Sequence, residues 1–499
     1  MVEEKKEEKI DRRKYIKYIG AGAVVAAAAA AIGYGISELT RPPPPTPTTV
    51  VQTVLKTETL PGTTIVRTEE RTIVQTTVTT VPVTGARKKI SVWSQTPFVP
   101  PQTSWQNERC MEWGSKNNVE VEITYIPGAE FWAKLMTAIE AKTPPDLVIK
   151  GPPAAILAEK GIVVPIDDVI EKLGKDDIYP QKLKEASYKG HYYYLPNHFE
   201  ISWYHIRKDL FKKAGVDFPK NLEELLDVAR KVNQIEKGVY GFGIPFGMKS
   251  TDATYHLLDY MYQFGGGITK GRTPADVLIN VEPYRSGWKK AFQYLKTFWD
   301  EKLTPPDSPE WTDASNNLAY INGAAAIVYN PPSIWYALMT QKPELAAVTT
   351  LWAIPGHVLD MCDENAYVIN GPNSELAKDL LYYIYKDKEK YLSVYCKAGG
   401  YYALPIFKSQ MEIVEGEWKK GTLPQFSMNP KEAAESTSGS VFSIVRPLDE
   451  TDPILQSWWT GWKTNEFLQR AIIKGEDLDR LIEEMHKAYV SDLESIYKP

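Results

Sequence analysis

The chain has 499 residues, with 58 Lys and Arg against 63 Asp and Glu and a formal net charge of -5. That acidic balance argues against a nucleic-acid partner, which needs a basic face. The 3 cysteines, Cys110, Cys362 and Cys396, are far apart and odd in number, so at most one internal disulfide forms and the fold is not disulfide-built.

At the N-terminus, Asp11-Arg12-Arg13-Lys14-Tyr15-Ile16-Lys17 leads into 18–37, a run without a charged residue. About 20 residues cross about 30 Å of hydrocarbon as a helix. Residues 1–17 therefore read as a cytoplasmic basic region and 18–37 as a transmembrane anchor or signal segment. The positive flank orients the remainder outward. The paired arginines before a weakly hydrophobic run resemble a twin-arginine export signal, with Asp11, Tyr15 and Ile16 departing from its usual form. Retention is favoured over cleavage, since no clear small-x-small site precedes Pro42. No lipid-modified cysteine anchors the chain, because the first cysteine is Cys110. Residues 38–86 read as a Pro/Thr-rich stalk. It lacks Trp, Phe and Tyr beyond residue 45, so it is expected to be a mobile spacer of roughly 40 Å. The Thr/Val alternation around 63–68 and 72–76 is the minority argument for strands.

The remaining 413 residues, 87–499, are too many for one core and suggest two lobes. Periodicity predicts a strand at 89–94, a helix at 105–117, a strand at 119–126, a helix at 130–142, a strand at 146–149 and a helix at 154–160. This alternation is that of an α/β open sheet, whose ligands sit at the carboxyl ends of strands. Those ends are 95–98, 128–131 and 150–153. Further helices are predicted at 209–215, 222–233, 254–264, 284–301, 316–322, 374–385 and 388–398, with a strand at 324–329 and an almost wholly helical end over 454–495.

Catalytic and metal signatures are absent. His191, His198 and His205 recur every seven residues, but Pro196 interrupts them. There is no His-Glu-x-x-His, Cys-x-x-Cys or Gly-x-Ser-x-Gly, and Gly265-Gly266-Gly267 lacks the Gly-Lys-Ser/Thr of a phosphate loop. No metal site, catalytic residue or cofactor is expected. A glycosidase needs two carboxylates across a bond, so a surface glycoside hydrolase stays open as an alternative, as does a structural cell-surface protein. The 14 Trp and 29 Tyr provide rings able to stack on sugar C–H faces, though a large core uses aromatics too.

Six motifs in order carry a resemblance. They are Lys89-Ile90-Ser91-Val92-Trp93, Thr143-Pro144-Pro145-Asp146-Leu147-Val148, Lys189-Gly190-His191-Tyr192-Tyr193-Tyr194-Leu195-Pro196, the segment 204–215 (YHIRKDLFKKAG), Asn322-Gly323-Ala324-Ala325-Ala326-Ile327, and Gly399-Gly400-Tyr401-Tyr402-Ala403-Leu404-Pro405. From residue 89 to the end the chain resembles the extracellular solute-binding proteins of ABC importers, carbohydrate-uptake group (family 1), in an archaeal-type membrane-anchored form. His205, Tyr194 and Ala324 depart from the pattern, where Asn, Gly and Lys are common.

The resemblance implies a two-lobed, periplasmic-binding-protein-like α/β fold of type II with ligand in the interlobe cleft. The first lobe would be 88–196 with 366–403, and the second 197–365 with 404–499, with crossings near 196–202, 363–366 and 403–406. It implies a monomeric head on the extracellular face of the cell membrane that captures a sugar or oligosaccharide and delivers it to membrane permease subunits; peptides or other polar solutes are the alternative cargo. Trp335 corresponds to the family's stacking Trp after Gly-Pro, offset by an insertion. Trp462, or else Trp459 or Trp458, corresponds to a second stacking Trp, and Tyr255 to a further contact region. Gln95, Phe98, Lys150, Asn197, His198, Glu200, Asp252, Trp311, Asn330 and Tyr401 lie in the implied cleft loops.

Overall fold

The computed structural model describes residues 48–60, 63–75, 87–362 and 364–497. The expected membrane segment at 18–37 lies outside the described residues, among which no helix is long and apolar enough to cross a membrane. The segment expected as a spacer contains two strands. Thr48–Leu60 and Thr63–Gln75 pair antiparallel, from Thr48 opposite Gln75 to Leu60 opposite Thr63. Alternating β-branched Thr and Val favour extended backbone, and each run supplies the partner that the other needs.

Residues 87–499 form a separate compact unit whose two larger sheets, among the described residues, have five and four strands. The first sheet runs Val119–Ile126, Lys88–Gln95, Leu147–Gly151, Asn365–Val368, Leu195–Pro196. Its first three strands are parallel and the last two antiparallel to their neighbours. Leu147, Val148 and Ile149 form a continuous apolar run because both faces are covered. Leu147 and Ile149 pack with Ile90, Val92, Trp105 and Leu380 on one side. Val148 packs with Phe131, Leu135 and Tyr367 on the other. The helix expected at 105–117 begins earlier, as Pro100–Asn117, since Pro suits a first turn whose N–H groups have no partner.

The second sheet centres on Ile201–Arg207, flanked antiparallel by Ile327–Asn330 and Thr349–Trp352, with Leu359–Asp360 also paired to it. Helices Thr251–Gln263, Tyr284–Asp300, Lys463–Ile472 and Leu478–Tyr497 cover one face through Leu258, Phe292, Leu468 and Met485. Tyr320, Ile334 and Leu338 pack against Val328 of the sheet on the other. The almost wholly helical end expected over 454–495 consists of three helices, Pro453–Thr460, Lys463–Ile472 and Leu478–Tyr497, with the first break at Gly461 and Trp462. The helix expected at 388–398 is a single turn, Lys388–Lys390, running into a π-helical stretch, Tyr391–Lys397.

The chain passes between the sheets at 197–200 and again at 361–364, where Asn197 N donates to Glu364 O at 2.9 Å and Met361 N to Glu200 O at 3.0 Å. A third stretch joins them, with Leu404 and Phe199 exchanging backbone hydrogen bonds of 2.9 and 2.8 Å. The resemblance implied that 404–499 belongs to the second lobe, but the residues just beyond 404 pack with the first sheet's core. Ile406, Phe407, Met411, Val414 and Ala434 belong to the first lobe's core, and Val441 is where the chain joins the second. Helix Lys408–Lys419 carries Met411 and Val414 three residues apart, an apolar stripe that packs against the first lobe.

His205 sits fully buried on the central strand, its Nδ1 3.2 Å from Trp203 O and its ring edge-on to Tyr320. Burial holds its pKa down to about 3. The unfolded chain therefore binds a proton near pH 6.5 that the folded chain refuses, so stability present above that pH is lost as pH falls. His205→Asn removes this titration. Its unfolding free energy relative to the parent should improve by about 1.4 kcal/mol per pH unit below pH ~6. Urea melts at pH 7, 6 and 5 measure this; parallel profiles would contradict it.

Candidate functional site

The crossings enclose a buried ionic cluster. Lys182 Nζ donates to Asp360 Oδ2 at 2.5 Å and to Glu185 Oε1 at 3.0 Å, and all three side chains are fully buried. Asp360 Oδ1 accepts from the backbone N–H of Glu200 and of Cys362, both at 3.1 Å. Glu185 Oε1 accepts from Ser440 N at 2.8 Å. Burial alone would lower Lys182, but Asp360 and Glu185 outweigh it and hold the ammonium above the ordinary lysine range. Burial pushes Glu185 up to about 8, against the pull of Lys182. Nearby, Lys150 pairs with Glu364, and the Tyr402 hydroxyl donates to Glu200 and lies 3.0 Å from Glu364 Oε1.

Above this cluster lies a cavity of about 530 Å³ with walls from both lobes. Gln95, Phe98, Phe131 and Trp132 come from strand ends of the first sheet and the helix Gly128–Glu140. Asp252, Asp313, Asn317 and Asn330 come from the second lobe. Glu200, Glu364 and Tyr402 form part of the wall at the crossings, and Trp459, Thr460 and Trp462 close one end.

The polar wall is held in place by its own bonds. Ser250 caps helix Thr251–Gln263, accepting from Ala253 N, which sets Asp252 in the first turn at the positive end of the helix. Asn316 Nδ2 donates to Asp252 Oδ2 at 2.6 Å. Asp313 Oδ1 accepts from Ser250 Oγ at 2.9 Å, and burial raises its pKa. Asn330 Nδ2 donates to Asn317 Oδ1 at 2.8 Å, while its Oδ1 accepts from the Tyr255 hydroxyl at 3.2 Å. The Trp459 ring stacks on Phe442 at 4.7 Å, and its buried Nε1 has no hydrogen-bond partner. A buried N–H without a partner at a cavity wall is a donor suited to a ligand oxygen.

Of the residues singled out from sequence, Trp462, Trp459, Asn330, Phe98, Glu200, Asp252 and Gln95 line this cavity. Lys150, His198 and Asn197 lie in the buried layer at the crossings. His198 Nδ1 is 3.0 Å from the Tyr395 hydroxyl; burial, then Lys150 and Lys182, hold its pKa well below the usual histidine value, so the ring is neutral. Tyr255 is buried in the second core behind Asn330.

Four aromatics are placed elsewhere. Trp311 packs with Tyr320 and Leu338 and donates to Asp307 at 2.9 Å. Trp458 donates to Asp492 at 2.6 Å and stacks on Phe467. Tyr401 donates to Glu417 at 2.7 Å and lines a separate groove, while its neighbour Tyr402 faces the cavity. Trp335 packs by Gly400, away from the cavity wall. Ser333 lines the cavity, and Trp335 stands about 200° further round the same helix.

Residues 108–423 match the family described as bacterial extracellular solute-binding protein. The chain is 27% identical over 236 residues to the mannitol-binding protein of Pseudomonas aeruginosa, 45% of this chain and 51% of that protein. It spans about half the length of the curated relatives it matches. Two solved structures share the fold. One is an ABC transporter solute-binding protein of Thermotoga lettingae bound with alpha-D-tagatose, with TM-score 0.64, 18% identity, and coverage of 81% of this chain and 100% of that one. The other is a sugar transporter protein of Arthrobacter chlorophenolicus with bound laminaribiose, with TM-score 0.62, 20% identity, and coverage of 82% and 100%.

Proposed function

The chain belongs to the bacterial extracellular solute-binding protein family, and from that premise we propose that it captures a sugar, sugar alcohol or short oligosaccharide in its interlobe cavity and delivers it to an ABC permease. The cavity carries this reading. Its volume of about 530 Å³ lies within the range of small-molecule sites, about 300–1,000 Å³. Its aromatic faces at Phe98, Trp132, Trp459 and Trp462 suit the C–H faces of a pyranose or polyol chain. The carboxylates and amides of Asp252, Asp313, Asn317, Asn330 and Gln95 suit its hydroxyls. The sugars and polyols associated with its relatives and structural neighbours agree with this chemistry.

Contacts from both lobes favour the closed arrangement by differential affinity. The reading is of binding without turnover, by an exported monomeric head held at the membrane by the N-terminal segment. In it the two lobes are 88–196 with 366–434 and 201–360 with 441–499, moved from the boundaries the resemblance implied by where 404–434 packs.

Thermal melting of the protein against mono-, di- and oligosaccharides and sugar alcohols tests it. A ligand at about 100 times its Kd should add about 2.7 kcal/mol of stability. A shift with one class and no product formed supports capture. Product formation would turn the reading to a hydrolase, and no shift with any of them would remove carbohydrate as the cargo.

A further inference from the structure

Beneath the cavity, among the described residues, His198, Glu200 and Cys362 bring one nitrogen, one oxygen and one sulfur within 4.8 Å of one another. All three are buried. His198 and Glu200 come from the first crossing and Cys362 from the second, which lie antiparallel through the Asn197–Glu364 and Met361–Glu200 backbone hydrogen bonds. His198 Nε2 is buried without a hydrogen-bond partner and stands 3.8 Å from Glu200 Oε2, too far for a hydrogen bond. Its other nitrogen is engaged by Tyr395, the arrangement that fixes a ligating imidazole. The layer around the three donors holds Glu200, Asp360 and Glu364 beside Lys150 and Lys182, which pair with Glu364 and Asp360.

We propose that His198, Glu200 and Cys362 form a binding site for a divalent, thiophilic transition metal ion, zinc above all, that ties the first two crossings together at the edge of the solute cavity. A mixed nitrogen, oxygen and sulfur donor set suits zinc, which takes tetrahedral geometry with bonds of about 2.0–2.3 Å. Donors about 2.0–2.3 Å from one tetrahedral ion stand about 3.3–3.8 Å apart, so a spacing of up to 4.8 Å would close by about 1 Å on binding. On binding, the Cys362 S–H bond breaks, its proton leaves to solvent, and the thiolate bonds the ion. Glu200 also lines the cavity, so the ion would border the bound solute. The site does not depend on which solute is bound.

The test uses the full-length chain, stripped with chelator and titrated with Zn²⁺ or Co²⁺ alone. The expected result is one equivalent bound, with a thiolate-to-cobalt charge-transfer band that Cys362→Ser abolishes and Cys396→Ser retains. Zinc affinity should fall at least ten-fold in Cys362→Ser. X-ray absorption of the zinc-loaded parent chain needs no variant, and should show one sulfur neighbour at about 2.3 Å with nitrogen or oxygen completing the shell. No stoichiometric binding, a shell without sulfur, or a band unaffected by Cys362→Ser would each overturn the proposal.

Discussion

Lys182→Met is expected to lower the unfolding free energy by about 3–5 kcal/mol, the usual cost of breaking a buried ion pair from one side. Methionine fills a similar volume, so packing around Phe199, whose ring lies 4.5 Å from the ammonium, is largely kept. The charge is what is lost. Asp360 and Glu185 would remain fully buried with no cation between them.

The pH dependence separates this electrostatic origin from a simple packing defect. Lowering the pH lets the stranded carboxylates protonate, and burial already raises Glu185 above the ordinary carboxylate range in the parent. The deficit of the variant should therefore be largest at pH 8 and shrink towards pH 5. Adding Glu185→Gln to Lys182→Met should recover part of the loss at pH 8, because one stranded charge is gone. Denaturant melts of the three chains at both pH values decide it. A loss under about 1 kcal/mol, or one equal at pH 5 and pH 8, would mean that the cluster does not act as a buried ion pair.

That cluster was invisible in the sequence, and the reason is physical. Lys182 and Asp360 are 178 positions apart and meet only because the chain crosses between sheets twice. Local signals gave the elements themselves. The alternation over 119–126, with Val121, Ile123 and Tyr125 on one face, matches strand Val119–Ile126, and the helix read at 374–385 is Ser374–Tyr385. One boundary failed where a local feature competed with the period: Pro100 opened a helix early. Within the helical end, Trp462 in a left-handed conformation separates two helices.

The cavity was legible to the extent that it sits at strand ends and family-matched positions. Gln95 ends Lys88–Gln95 and Phe98 follows it, and Asn330 ends Ile327–Asn330. Trp335 and Trp311 show the limit, since motif position fixes neither the side of a helix nor which side of a sheet a ring covers. Asp313 and Glu364 carried no signal, because a carboxylate in a loop looks like any exposed one until the fold buries it. The grouping of His198, Glu200 and Cys362 likewise has no sequence spacing to reveal it.

Trp462→Gly is expected to weaken solute binding by about 30- to 150-fold, or about 2–3 kcal/mol, while leaving the stability of the solute-free protein within about 1 kcal/mol of the parent. Trp462 has φ 61 and ψ 16, a left-handed conformation that costs a bulky residue about 1–2 kcal/mol. Glycine takes that conformation without strain, and the relief offsets its greater freedom in the unfolded chain. The half-buried ring at the cavity wall is what the substitution removes. Strain held at a bulky residue in a cleft is the pattern of a position kept for contact with ligand. Trp459→Ala serves as the contrast. That ring is buried and stacked on Phe442, so its loss should cost about 3–5 kcal/mol of stability as well as affinity. Calorimetric titration with the solute found by melting, beside melts of each solute-free variant, reads both quantities. If Trp462→Gly binds as tightly as the parent, the ring is not part of the solute contact. The strain at this turn would then serve only to start helix Lys463–Ile472.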